Sequence, residues 1–176
     1  YIYKDGLARF CSAKYSHNSI YSQLTNVSLN KDNPEMEIAR ISQLISEIFP
    51  KMASNGIDVD ELWFKIENVI LLTIFSSYGV LRKAEEIRCP PFSYPRCFQI
   101  LGFDILIDPN LNPIVLEVNY RPNLDYYRGK ERRMKVRMIK EAIQLAVPYG
   151  KAQDIVLSKK LSLNTNSWTR IVLNHP

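Results

Sequence analysis

With 176 residues, 46% of them apolar and 23% charged, the chain is one domain or a large piece of one, outside the range of disordered sequences. A formal charge of +5 and a pI near 9.1 favour an acidic partner over a basic one, leaving nucleic acid, anionic lipid, nucleotide phosphate and acidic protein tails open. Three cysteines without CxxC spacing and only two histidines argue against a disulfide framework, a zinc site or a Ser-His-Asp triad, and for a reducing compartment.

The chain opens without an initiator Met on Tyr1-Ile2-Tyr3, so the expectation is the ordered part of something longer. Two short strands, residues 1–3 and 7–10, flank Lys4-Asp5-Gly6, where Asp-Gly signals a hairpin turn. Residues 11–33 read as a long loop of the kind that carries function. The spacing of Ile38, Ile41, Leu44, Ile45 and Ile48 predicts a helix from Asn33-Pro34-Glu35 to Pro50. A second helix, capped by Asp58, runs to about Tyr78-Gly79 and is apolar on so much of its circumference that burial is expected. The longest apolar run, residues 69–75, is too short to cross a bilayer, and no secretory signal opens the chain. The expectation is a soluble, cytoplasmic protein. A Pro-rich connector, residues 90–95, leads to strands over 97–107 and 114–119, joined by the turn chemistry of residues 108–113. A basic helix follows over 129–147, with Met134, Met138, Ile139, Ile143 and Leu145 as its buried side. Residues 150–176 read as a docked tail or a partner-binding extension.

The second hairpin carries the chemistry. Glu117 and Asn119 lie two apart and share a strand face, and the turn brings Asp104 beside them. Two carboxylates and an amide form an all-oxygen donor set suited to a hard cation such as Mg²⁺. Acidic residues on a hairpin usually make a wet face. Here Ile105, Leu106, Ile107, Val115, Leu116 and Val118 surround them, so the strands read as buried on both sides, and buried carboxylates need a partner. Thr25, Asn26 and Lys31 place a hydroxyl, an amide and an ammonium on one loop, a plausible phosphate grip. Arg9, on a strand among aromatics, can clamp a carboxylate or phosphate.

Three ordered segments carry a resemblance. Residues 3–10 (YKDGLARF), 23–31 (QLTNVSLNK) and 97–119 (CFQILGFDILID through LEVN) resemble the tubulin-tyrosine-ligase-like family over residues 1 to about 147. The resemblance implies an α+β chain that is the C-terminal half of an ATP-grasp fold, an antiparallel sheet with β-hairpins packed against helices. Residues 1–149 would be the C-terminal lobe and 150–176 an extension, with the N-terminal lobe and its nucleotide-binding lysines outside the chain. It further implies ATP and Mg²⁺ as cofactors, with Asp104, Glu117 and Asn119 as metal ligands and Thr25, Asn26 and Lys31 at the nucleotide. Arg9 would serve the reacting carboxylate. The implied reaction adds an amino acid, glutamate by family habit, to a carboxylate of tubulin through an acyl phosphate, with charge neutralisation in place of a nucleophilic side chain.

The cations Arg128, Lys130, Arg132, Arg133, Lys135, Arg137 and Lys140 crowd the last helix, opposed mainly by Glu131 and Glu141. Such a patch would steer the acidic tails of tubulin or microtubules, with Arg132, Arg133 and Lys135 as substrate contacts. It lacks the interleaved aromatics of a nucleic-acid surface. Expected partners are thus tubulin and a free amino acid, with no nucleic acid and no membrane, in the cytoplasm, cytoskeleton or cilium. Gln23 stands where the family has His, and Arg121 and Asn123 replace small hydroxyl residues; Arg121 is a candidate for the incoming amino acid's carboxylate. The rival readings are a non-catalytic tubulin- or axoneme-binding relative and an ATP-grasp ligase of small molecules. Residues 1–176 alone are expected to be inactive.

Overall fold

The computed structural model describes residues 1–13, 16, 17, 22, 23, 25, 41–88 and 98–146, and the backbone of 168 and 169. Among these the chain is α+β. The strands are β1 (Ile2–Tyr3), β2 (Leu7–Arg9), β3 (Ser42–Leu44), β4 (Gly102–Ile107), β5 (Pro113–Asn119) and β6 (Trp168–Thr169). The helices are α1 (Ile45–Ser54), α2 (Val59–Arg88) and α3 (Gly129–Ala146). The strands pair as three two-stranded antiparallel sheets, β1 with β6, β2 with β3 and β4 with β5.

The Asp5-Gly6 turn does not make the expected hairpin. β1 and β2 leave it for different sheets, so part of the C-terminal stretch docks on β1 through Ile2↔Thr169 and Tyr3↔Trp168. Asp5 has another use. Its Oδ1 accepts from the Ser46 amide at 3.1 Å and its Oδ2 from the Ser46 hydroxyl at 2.8 Å, which caps one N–H of the first turn of α1 from 41 residues away. The helix expected over 33–50 is corrected where it is described. Residues 42–44 are strand, because β2 offers them a ladder from Leu7↔Leu44 to Arg9↔Ser42, and α1 starts only at Ile45. It then runs through Pro50 to Ser54, tolerating the loss of one helical hydrogen bond. Gly56, at φ 83°, supplies the left-handed residue that ends the turn after α1.

Asp58 caps α2 as expected, its Oδ1 accepting from Glu61 N–H at 2.9 Å. The helix passes Gly79, at a cost of about 1 kcal/mol, and continues to Arg88 with an Arg82–Glu86 pair at 2.9 Å along the way. Leu62, Ile66 and Ile70 form its buried stripe, joined by Ile2 and covered by Phe49, Trp63, Phe103, Ile105 and Ile107. Burying such a side chain contributes roughly 1.5–3 kcal/mol. The rest of α2 is not buried, contrary to expectation: Leu72, Val80 and Ile87 are 67%, 76% and 75% exposed. By length and composition α2 is apolar enough to cross a bilayer, which the run 69–75 concealed because Lys65 and Glu67 interrupt the pattern. Only 6% of that apolar stretch is buried; the stripe of Leu62, Ile66 and Ile70 is the part that packs on β4.

Candidate metal and phosphate site

The β4–β5 hairpin forms where expected, with β4 starting later, at Gly102. Asp108 closes the turn, accepting from the Asn110 and Asn112 amides at 2.8 and 2.7 Å; these bonds, the Asn112 amide first, hold its carboxyl below the usual range. The register sets Asp104 directly opposite Glu117 and Gly102 opposite Asn119. A bulge between Asp104 and Ile105 makes this possible. On the far side of it Ile105 pairs with Val115, so Leu116 is the extra residue. Without it, the strict alternation from Ile114 would turn Glu117 to the core face. One face of the hairpin packs Phe103, Ile105 and Ile107 on α2; the other carries Asp104, Glu117 and Asn119. This second face is open: Leu106 and Ile114 on it are 51% and 48% exposed, so the strands are not buried on both sides.

Asp104 and Glu117 set two carboxylates opposite each other. Burial, then a hydrogen bond with Glu117, pushes the Asp104 carboxyl above its usual range, while the Arg9 guanidinium pulls the other way. Arg9 thus reaches the same field from β2. Asn119 Nδ2 donates to Glu117 Oε1 at 3.1 Å, leaving the amide oxygen as the group able to meet a ligand. Among the described residues no three of His, Cys, Asp and Glu gather for a metal, so a cation here would take two carboxylates and complete its protein ligands with that amide. The donor set is all oxygen, carries excess negative charge and is partly solvated, which fits Mg²⁺. Arg9, Thr25, Asp104 and Glu117 line one cleft of about 1760 Å³. Asn26 and Lys31 lie outside the described residues.

The sequence pattern of the tubulin-tyrosine ligase family matches residues 1–155. The chain belongs to this family. It is 33% identical over 155 residues to tubulin polyglutamylase TTLL6 of Mus musculus, an alignment covering 82% of this chain and 19% of that protein. It is 32% identical over 173 residues to tubulin monoglutamylase TTLL4 of Homo sapiens, covering 90% and 14%. A probable beta-tubulin polyglutamylase of Tetrahymena thermophila is 31% identical over 177 positions, covering 91% and 15%. The chain therefore spans less than a fifth of the length of these relatives.

The departures from the tubulin-tyrosine ligase family pattern have visible partners. Gln23 donates from Nε2 to the carbonyls of Ser16 and His17, both at 3.0 Å, so it ties down its own loop. Arg121 lies over the Tyr120 ring at 5.5 Å, and Arg132 over Tyr126 at 5.7 Å. Asn123 Oδ1 accepts from Asp125 N–H at 2.7 Å. α3 matches its expected span, but its buried side is led by Glu131, Glu141 and Ala142, while Ile143 is 45% exposed. Several of its cations are committed within the chain: Lys130 to Glu47, Lys135 to Glu131 and Arg137 to Glu141. The four-residue spacing of the last two pairs is visible in the sequence; that their carboxylates are buried is not.

Proposed function

We propose that this chain is the magnesium- and phosphate-binding part of an ATP-grasp ligase that adds glutamate to a carboxylate of tubulin or a similarly acidic protein. The observation that carries the reading is the Asp104–Glu117 pair across one rung of the hairpin, with Asn119 bonded beside it, in a chain whose relatives are named tubulin glutamylases. Asp104, Glu117 and Asn119 would hold the Mg²⁺. Thr25, Asn26 and Lys31 would contact the nucleotide phosphates, and Arg9 the reacting carboxylate. ATP, when bound, supplies the phosphoryl group that makes a carboxylate electrophilic. The chain's own share is to place the reactants, neutralise their charge and keep water out. Arg121, just beyond Asn119, supplies a cation for the incoming amino acid's carboxylate. Such an enzyme works on microtubules, in the cytoplasm or in cilia.

The test is incubation of the full-length protein with tubulin, Mg²⁺, ATP and labelled glutamate, glycine or tyrosine. Glutamate alone should be incorporated, and Glu117→Gln should lower the rate by at least about a hundredfold, as removal of a principal electrostatic group does. Incorporation that survives Glu117→Gln would sink the metal assignment. Incorporation of glycine or tyrosine instead would sink the substrate.

A further inference from the structure

Lys135 stands on the last helix as one of its crowd of cations, yet its side chain is only 12% exposed. Its Nζ lies 3.1 Å from Glu131 Oε1 and donates to the Asn123 carbonyl at 3.3 Å and to the Asp125 carbonyl. An ammonium has three N–H donors, and three acceptors take them, so nothing remains for a substrate. Glu131, itself 5% exposed, uses its other oxygen to accept from Tyr127 N–H at 3.1 Å. One buried ion pair therefore holds the backbone at residues 123, 125 and 127. That segment is the direct continuation of β5. Pro122, between β5 and this segment, sits against Gly102, where an added Cβ would come within 2.8 Å of the proline ring, and Gly102 is the rung partner of Asn119.

We propose that Glu131 and Lys135 form a positioning clasp that sets Asn119 and Arg121 relative to Asp104 and Glu117, and so sets the affinity for magnesium with nucleotide. This rests on reading Asp104, Glu117 and Asn119 as the magnesium site. Lys135 lines the same cleft as Asp104 and Glu117, but acts on the ligands through the backbone. A buried ion pair is a poor source of net stability compared with apolar packing; this one fixes geometry through its contacts to the backbone at residues 123, 125 and 127.

The experiment titrates Mg²⁺ against binding of a fluorescent ATP analogue to the full-length protein, without tubulin or turnover. Lys135→Met should raise the half-saturating Mg²⁺ about tenfold or more, the scale of loss when a group supporting a metal ligand is removed, and leave metal-free nucleotide binding unchanged. Lys135→Arg should restore most of the affinity. Because Lys135→Met strands a buried carboxylate, the neutral double variant E131Q/K135M is measured beside it; it keeps an acceptor for Tyr127 and should show the same shift. Arg137→Met breaks the next ion pair of α3, which does not touch residues 123–127, and should shift nothing. A folded double variant with unaltered Mg²⁺ dependence overturns the clasp, as does an equal shift from Arg137→Met. If the unsubstituted protein shows no Mg²⁺ dependence, the magnesium reading falls and the clasp with it.

Discussion

Asp104 and Glu117 face each other across one rung, and like charges so placed weaken the pairing that holds them together. A hairpin selected for stability alone would not keep both. Asp104→Asn should therefore stabilise the metal-free protein by roughly 0.2–1 kcal/mol in urea unfolding at neutral pH, while abolishing Mg²⁺-dependent nucleotide binding. The pH dependence has a definite sign. The folded Asp104 carboxyl sits above its ordinary value, so the folded chain holds a proton that the unfolded chain has already lost. Its ionisation thus opposes folding as pH rises through the raised value, and the gain from Asp104→Asn should vanish as pH falls below the ordinary aspartate range. On the proposed magnesium reading, Mg²⁺ would compete with the same proton, and its apparent affinity should fall as pH drops through that window. A variant no more stable than the parent, or a Mg²⁺ affinity indifferent to pH, would mean that the two carboxylates do not share a site.

Each element tests a local signal against what the rest of the chain offers. The β4–β5 hairpin was legible because its turn chemistry and its apolar strands agree, and with it the grouping of Asp104, Glu117 and Asn119. The bulged Leu116 that aims Glu117 was not, since one extra residue leaves no mark in an apolar strand. Residues 42–44 have helical spacing and fold as strand, because β2 supplies backbone partners that periodicity cannot see. Asp5-Gly6 has hairpin composition, but its carboxylate goes to the start of α1. That contact should be measurable. Asp5→Ala is expected to cost roughly 0.5–2 kcal/mol, the range for a lost N-terminal cap, and Asp5→Asn less, because an amide oxygen can still accept from Ser46 N–H. Equal losses from the two would show that charge, and not the cap, is what Asp5 provides. Gly102→Ala drives a Cβ to 2.8 Å from the Pro122 ring, and should cost about 1–3 kcal/mol as overpacking does, read from the urea midpoint. It strains the joint between the hairpin and the segment beyond it.

At the scale of the whole molecule, a net charge of +5 describes attraction to an acidic partner only where cations are unspent. On α3 the named ion pairs take Lys130, Lys135 and Arg137, whereas Arg132 and Arg133 are exposed and Arg132 lies over the Tyr126 ring. If acidic tails are steered to this helix, these two arginines should dominate. Reversing both, R132E with R133E, should raise KM for tubulin about tenfold or more at low salt with little change in kcat, because rim charges act chiefly on encounter. The difference should shrink as ionic strength passes about 0.15 M, where the screening length falls to about 8 Å. Removing both charges of the Lys130–Glu47 pair, E47Q with K130M, leaves the net charge unchanged, so its KM should stay near the parent value. The comparison discriminates between patch and pairing. An effect of E47Q with K130M equal to that of the double reversal, or a KM change that salt does not diminish, would show that α3 contributes packing and not a field, and that the acidic partner docks elsewhere.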